Sequence, residues 1–440
     1  MKTRTRKRYI IPLLVCAAFA ANANSNTNLA FKAGVDLRLR YDGTDNLPTS
    51  SRGESDGSDY ARIRIRPWML AQYEDFGLYL RLADEFRYYH RPASSSSKQR
   101  WPDVLFIDNL HFTAKNLWDV LDLRIGRQDM AFGAKRIISD GTGGDGSRSA
   151  YFDAIRLTWH ADEKRSLDAF ALYQSKKDWM PTLGKEHANG KDPQAYDTTG
   201  YWQDEFGAGL YWQDRTSEDF GYDAYYVAKA EFRNRNSKYR REGGRADTHT
   251  MGLRLLPRLS DTVSGEIELA GQVGSHNLLA GQAYGGLTYA PKLTGKPKVT
   301  GACWILSGDS DGERGEHAWH AVFNRETGLG ESIAPMYTKY NYTNLVYPHI
   351  AFACSIGDFS SAKFQIGPMF TAVKEDDAGS FRGTYAQIRY EIKPDKLFGV
   401  DLLRGGKIAC QGEYFGKGDY FGNDSDNPAL FGRVEVAWNF

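Results

Sequence analysis

The sequence predicts an all-β fold, a transmembrane antiparallel β-barrel of about eighteen strands. Three observations carry that expectation. Apolar residues alternate with period two through nearly every readable segment after residue 30. The connections between these segments alternate between long and short. The last segment sets Val434, Val436, Trp438 and Phe440 on one face and ends the chain on Phe440.

Taken in order, Phe31–Tyr41 places Ala33, Val35, Leu37 and Leu39 opposite Asp36, Arg38 and Arg40. Tyr60–Tyr73 sets Ile63, Ile65 and Met69 against Arg62, Arg64 and Arg66. Gly77–Tyr89 opposes Leu78, Leu80, Leu82 and Phe86 to Arg81, Glu85 and Arg87. Comparable runs follow at 104–114, 120–130, 151–160, 166–174, 204–213, 221–232, 247–256, 263–273, 278–290 and 297–307. The series continues at 345–354, 362–371, 383–393, 406–416 and 429–440. The short links (74–76, 115–119, 161–165, 214–220, 257–262, 291–296, 355–361 and the longer 394–405) read as periplasmic turns. The long ones, among them 42–59, 131–150, 175–203 and 308–344, read as solvated outer loops rich in Gly, Ser, Asp and Asn. Only 274–277 is short where a long loop is due. Tyr41, Tyr60, Trp118, Trp159, Tyr211 and Trp212 gather at strand ends, as interfacial girdles do.

Composition narrows the function classes. The 440 residues carry 56 Lys plus Arg against 55 Asp plus Glu, a net charge of +1, which argues against a globally basic nucleic-acid binder. A mean hydropathy of −0.55 argues against a polytopic helical membrane protein. Residues 1–23 read as a cleaved signal peptide: a cationic start, an apolar run from Tyr9 to Ala20, then Ala21-Asn22-Ala23. The barrel domain is then 24–440, placed in the outer membrane of a Gram-negative-type bacterium. Cys303, Cys354 and Cys410 remain in it, odd in number and far apart, so no disulfide is assigned.

In a barrel the residues off the apolar parity line the lumen. That set contains fifteen cations and nine acids, an excess concentrated in the first three strands. The candidate pore-lining residues are Arg38, Arg40, Arg62, Arg64, Arg66, Arg81, Glu85, Arg87, Arg124, Arg127, Arg156, Arg254, Arg389 and Arg433. Rows of guanidinium forks favour carboxylates and phosphates, and interspersed acids keep the wall from holding an anion too tightly. Strand parity gives Arg127 the lipid-facing side unless a bulge turns it inward.

Catalytic signals are weak. Gly53-Glu-Ser55-Asp-Gly57 and Gly308-Asp-Ser310-Asp-Gly312 match a nucleophile elbow in letters, but both lie in loops with no helix after them. Gly141–Gly146 lacks the Lys-Ser/Thr of a phosphate loop. Asp309, Asp311, Glu313, Glu316, His317 and His320 suggest a divalent cation in the 309–320 loop, although the EF-hand spacing fails at His320. The expectation is therefore no catalytic residues, no resident metal and no other cofactor.

The segment 123–138, LRIGRQDMAFGAKRII, with 151–159, YFDAIRLTW, resembles the strand–loop–strand unit of the alginate export family of outer-membrane barrels. ILSGD at 305–309 is similar to that family's entry to a long loop, and 383–391 with 407–412 resemble its closing strands. The resemblance implies a monomeric eighteen-stranded barrel with an arginine-rich constriction that passes an anionic polyuronate outward. It places Arg124, Arg127, Gln128, Arg136 and Arg156 in the matching motif.

The sequence thus supports an outer-membrane channel for anionic carbohydrate, with polyuronate export as the first reading. Its partners would be the anionic polysaccharide or sugar acid, outer-membrane lipid and periplasmic export machinery, without nucleic acid. An uptake porin for small anions such as sugar acids is the alternative. A third reading, an outer-membrane hydrolase, lacks a catalytic cluster in the loops.

Overall fold

Lipid cannot hydrogen-bond a peptide group, so a chain that crosses it in strands must close its sheet. The computed structural model shows that closure. It describes residues 29–49, 51–92, 105–139, 151–175, 178–182, 204–232, 245–309, 316–324, 329–337, 342–375, 378–422 and 427–440. The predicted leader, the glycine run at 141–146 and most of the 175–203 loop lie outside these residues.

Twenty strands are described: β1 (Leu29–Asp45), β2 (Ser58–Tyr73), β3 (Phe76–Arg91), β4 (Phe106–Leu117), β5 (Leu121–Gln128), β6 (Ile138–Ser139), β7 (Phe152–His160), β8 (Arg165–Gln174), β9 (Asp204–Asp214) and β10 (Phe220–Phe232). There follow β11 (Arg245–Pro257), β12 (Val263–Gly274), β13 (Leu278–Tyr289), β14 (Lys298–Leu306), β15 (Phe323–Asn324), β16 (Leu345–Ile356), β17 (Ser360–Phe370), β18 (Phe381–Ile392), β19 (Gly406–Lys417) and β20 (Ala429–Asn439). Eighteen of them form one antiparallel sheet, and β1 pairs with β20 to close it. The remaining two, β6 and β15, pair with each other in parallel. Each of the eighteen periodic segments forms one barrel strand.

The seam ends on the last residue, where Val35 and Phe440 exchange backbone hydrogen bonds of 3.2 and 3.0 Å. The link at 394–405 carries the short helix α1 (Pro394–Phe398), ended by Gly399 at φ 66°, a left-handed cap that glycine adopts without a Cβ penalty. At the opposite end, the short 274–277 link is a single 3-10 turn that brings β12 directly into β13.

The exposed outer face carries the apolar parity: Leu39, Met69, Ile155, Met251, Leu269, Ile350 and Ile388 are all exposed. Their environment is lipid rather than water. A midplane arginine on such a face costs about 2–4 kcal/mol. Leu269→Arg, in mid-strand, is therefore expected to lower folding stability in lipid vesicles by about that amount in a urea titration. Gln272→Arg, on the opposite parity and near the strand end, should cost a different amount through its own contacts, so Leu269→Ala is the matched control.

Candidate functional site: a lumen divided between a plug and an arginine wall

Two of the long connections turn inward. Residues 129–139, between β5 and β7, and the described parts of 307–344, between β14 and β16, meet through the β6–β15 pair. Met130, Phe132, Ile137 and Ile138 from the first, with Trp319, Val322, Phe323, Leu329, Ile333 and Met336 from the second, form one buried apolar cluster with wall residues of β7 to β20. The expectation of solvated outer loops is corrected here for these segments. Their apolar side chains bury against inward-facing Phe152, Phe170, Tyr211, Tyr225, Tyr347 and Phe415.

Specific contacts fix the plug. The Phe132 ring stacks on Phe170 at 5.5 Å and on Tyr211 at 4.8 Å. Phe323 meets Phe152 edge-on at 6.2 Å, and Lys229 Nζ stands 5.3 Å from its centroid. Gly207 leaves the space that the Phe323 ring occupies, since a Cβ there would lie 2.5 Å from it. Arg136 donates to Glu266 (2.7 Å) and Glu268 (2.6 Å) across the lumen and covers the Tyr284 ring at 3.6 Å. The Ser332 N–H donates to Glu413 (2.8 Å), and Arg433 donates to Glu331 (3.0 Å).

The other side of the lumen is the arginine wall on β1, β2, β3 and β20. Strand register stacks it: Arg38 faces Arg64, Arg40 faces Arg62, and Asp36 faces Arg66. On β3, Glu85 lies opposite Arg64 and Arg87 opposite Arg62. Acids thread through the cations. Glu85 lies 3.9 Å from Arg38, 3.5 Å from Arg62 and 3.4 Å from Arg87. Asp42 takes Arg433 (2.6 Å) and Arg62 (3.4 Å), Glu435 takes Arg40, and Asp36 takes Arg66 (3.1 Å). Asp108 receives Arg81, whose other nitrogen reaches Asp129 at 2.8 Å.

Arg64 differs from its neighbours. It is 7% exposed, its Nε and Nη1 have no partner, and its guanidinium makes no hydrogen bond or ion pair among the described residues. Arg124 on β5 lies opposite Arg156 in register and is half-buried. A charged donor left unmet costs more than the ~1–3 kcal/mol of a neutral one, so an incoming carboxylate is favoured at such a group.

The remaining predicted residues are compensated, and of them Arg389 also reaches the wall's Glu435 at 3.5 Å. Arg156 donates to Asp168 (2.7 Å) and lies over the plug's Phe132. Arg254 donates to Glu266 and Asp223, both at 3.0 Å. Arg389 donates to Glu391 (2.7 Å) and Gln411 (2.8 Å). Arg127 shares the outward parity of exposed Ile125, yet it is 1% exposed. Its guanidinium is bonded to Asp153 (2.8 and 3.1 Å), Asp178 (2.9 and 3.2 Å) and the Ile107 carbonyl (2.9 Å), beneath the Tyr151 ring at 3.7 Å. Gly126 beside it, at φ 121°, departs from regular strand geometry.

The charge count changes as well. Asp42, Asp108, Asp168, Glu205 and Asp223 are buried on the inner face beside the acids that the sequence placed there. The cationic excess is thus local to β1–β3 rather than general. In the 309–320 loop, Asp311 and Glu313 lie outside the described residues, and Glu316 lies 3.4 Å from His320. Among the described residues no three metal-ligating side chains stand together.

A closed eighteen-stranded barrel with an apolar belt, a polar lumen and an inward-folded plug is an outer-membrane channel. The sequence profile of the family described as "Alginate export" matches residues 29–351. The chain belongs to the alginate export family. Solved structures share the fold. Acinetobacter baumannii OccAB2 is 10% identical (TM-score 0.62; 93% of this chain, 98% of that one). Pseudomonas aeruginosa OccK7 (OpdD) is 16% identical (TM-score 0.57; 93% and 98%), and the P. aeruginosa outer membrane protein OpdK is 13% identical (TM-score 0.57; 93% and 98%). The search of curated proteins gives no match.

Loss of a buried Phe ring costs about 3–5 kcal/mol where the site cannot collapse. Phe323→Ala should loosen the plug without breaking a barrel strand. A higher single-channel conductance is expected, with heat-modifiable migration on gels retained; unchanged conductance would mean the plug does not set the open area.

Proposed function

We propose that this channel passes anionic carbohydrate, with a polyuronate moving outward as the substrate that best fits the lumen. The observation that supports this most strongly is Arg64, a buried guanidinium without a hydrogen-bond acceptor, set in register between Arg38 on β1 and Glu85 on β3. Around it, Glu85, Asp42 and Asp36 already answer their neighbours, so the wall offers a few strong sites rather than a uniformly adhesive surface. Conduction requires that balance, because an anion held at every rung would not leave. Family membership supports the polyuronate. Outward movement would rest on a gradient or on periplasmic machinery, since the sequence carries no nucleotide motif.

Uptake of small sugar acids is the second reading, and the plug is the observation that favours it. Two loops filling one side of the lumen leave a narrower path than an open eighteen-stranded barrel would. An enzymatic role has no support in side-chain geometry among the described residues.

The test is current block in planar bilayers by oligouronates of increasing length. The wild-type barrel is expected to show block that lengthens with chain length. Arg64→Gln should weaken it at least tenfold, the loss of one charge-assisted pair at ~1.5–3 kcal/mol. Arg254→Gln, whose guanidinium is already paired, should weaken it far less. Block by monomers alone, without length dependence, would favour the sugar-acid porin.

A further inference from the structure

Beneath the plug, on the periplasmic side, the inner face of β14 to β20 carries a row of cations. Strand register sets it out. Lys298 on β14 pairs with Ala353 on β16, Ala353 with Lys363 on β17, and Lys363 with Arg389 on β18. Arg389 pairs with Gln411 on β19, and Gln411 with Arg433 on β20. All six share the inward parity of their strands, the parity of buried Trp304, Tyr347, Tyr385, Glu413 and Glu435.

The row climbs. Neighbouring strands lie ~4.8 Å apart, so five strand steps span roughly 24 Å. Barrel strands tilt by about 35–45°, so a row across them rises toward one end. Lys298 is the first residue of β14, at the periplasmic edge. Arg433 is the fifth residue of β20 from its outer end and bonds Asp42 in the arginine wall. One rung nearer the outside, Gln365, Gln387 and Glu413 pair in the same manner, and Glu413 receives the plug's Ser332 N–H at 2.8 Å. The cation row therefore runs along the underside of the plug.

Exposure falls along it. Lys298 and Lys363 are exposed, Arg389 is half-buried, and Arg433 is buried. Hydrated ammonium groups at the mouth attract an anion without gripping it, and guanidinium forks follow where water thins out. The acids beside the row, Glu391 and Glu435, are shared between Arg389 and Lys407. The far rim has the opposite sign. Its links at 74–76, 115–119, 161–165 and 214–220 carry eight Asp or Glu against four Lys or Arg. An anionic chain arriving from the periplasm is drawn to the β14–β18 side of the mouth.

We propose that Lys298 and Lys363 are the capture site for anionic cargo entering from the periplasm, and that Arg389 and Arg433 lead its charges beneath the plug to the arginine wall. This capture site rests on the reading of the channel as an anion conduit and adds its entrance.

The test uses the full-length barrel in planar bilayers, with a mannuronate tetrasaccharide or sodium tripolyphosphate added first to one compartment and then to the other. Both faces of each barrel are thereby read. The double variant Lys298→Gln, Lys363→Gln is expected to slow blocker entry about tenfold from one face only, with the dwell time of each block unchanged. In about 1 M salt, where the Debye length falls to about 3 Å, its difference from wild type should vanish. Lys292→Gln removes a rim charge already paired with Asp261 (2.6 Å) and should leave entry rates as they are. Heat-modifiable migration on gels identifies a variant that fails to fold, and Lys363→Gln alone then decides. Equal entry rates in wild type and the folded variant, slowing from both faces alike, or equal slowing in Lys292→Gln would each overturn the capture site. Mannuronate block that the variants do not slow removes the capture site and leaves the anionic-carbohydrate reading standing. Tripolyphosphate entry slowed by the variants, with no mannuronate block, keeps the capture site and overturns that reading. No block by either anion overturns both.

Discussion

The hydrogen-bonding demand of the backbone in lipid governs this molecule. Each peptide group inside the hydrocarbon needs a partner from another strand, so the sheet closes through β1 and β20 and leaves no edge in the bilayer. Closure fixes side-chain direction: every second residue faces lipid and the others face the lumen. Leu39 and Met69 lie outside for the same reason that Arg38, Arg40, Arg62, Arg64 and Arg66 lie inside. The arginine wall therefore follows from a period of two imposed on three adjacent strands with cations at every other position.

Those cations must then be reconciled with one another. Guanidinium groups stacked across β1 and β2 repel unless acids intervene, and Glu85, Asp42, Asp36, Asp108 and Glu435 intervene. The pairing is nearly complete, and Arg64 is where it fails. A wall with every charge paired would stabilise the lumen and attract little. A wall with none paired would hold an anion too firmly to conduct it. On the opposite side the plug removes water from the wall of β7 to β20 through ordinary apolar burial, so the proposed solute path is the one beside the arginines.

The strand positions and their faces were legible in the sequence because lipid and water impose the alternation residue by residue. The segments at 166–174 and 278–290 form strands like the others, for closure leaves no place for a gap. Tertiary placement of the loops was not legible. Phe132, Ile137, Ile138, Phe323 and Ile333 are apolar residues in stretches counted as loops, and that was the available signal for the plug. The Arg136 contact to Glu266 spans 130 residues and has no local signature. Asp42 falls in the 42–59 stretch that reads as a loop, whereas β1 runs on to Asp45, and Asp108 lies beside a register shift at Arg81/Leu82 that parity counting does not anticipate. Arg127 escaped simple parity because its neighbours Asp153, Asp178 and Tyr151 enclose it.

At the arginine wall the unpaired buried group is a cation, Arg64. The reversal potential of the purified wild-type barrel under a tenfold potassium chloride gradient reads that charge directly. A potential displaced toward the chloride equilibrium value is the predicted result. Displacement toward the potassium value would contradict it, because the acids threaded through the wall would then outweigh Arg64 and its neighbours.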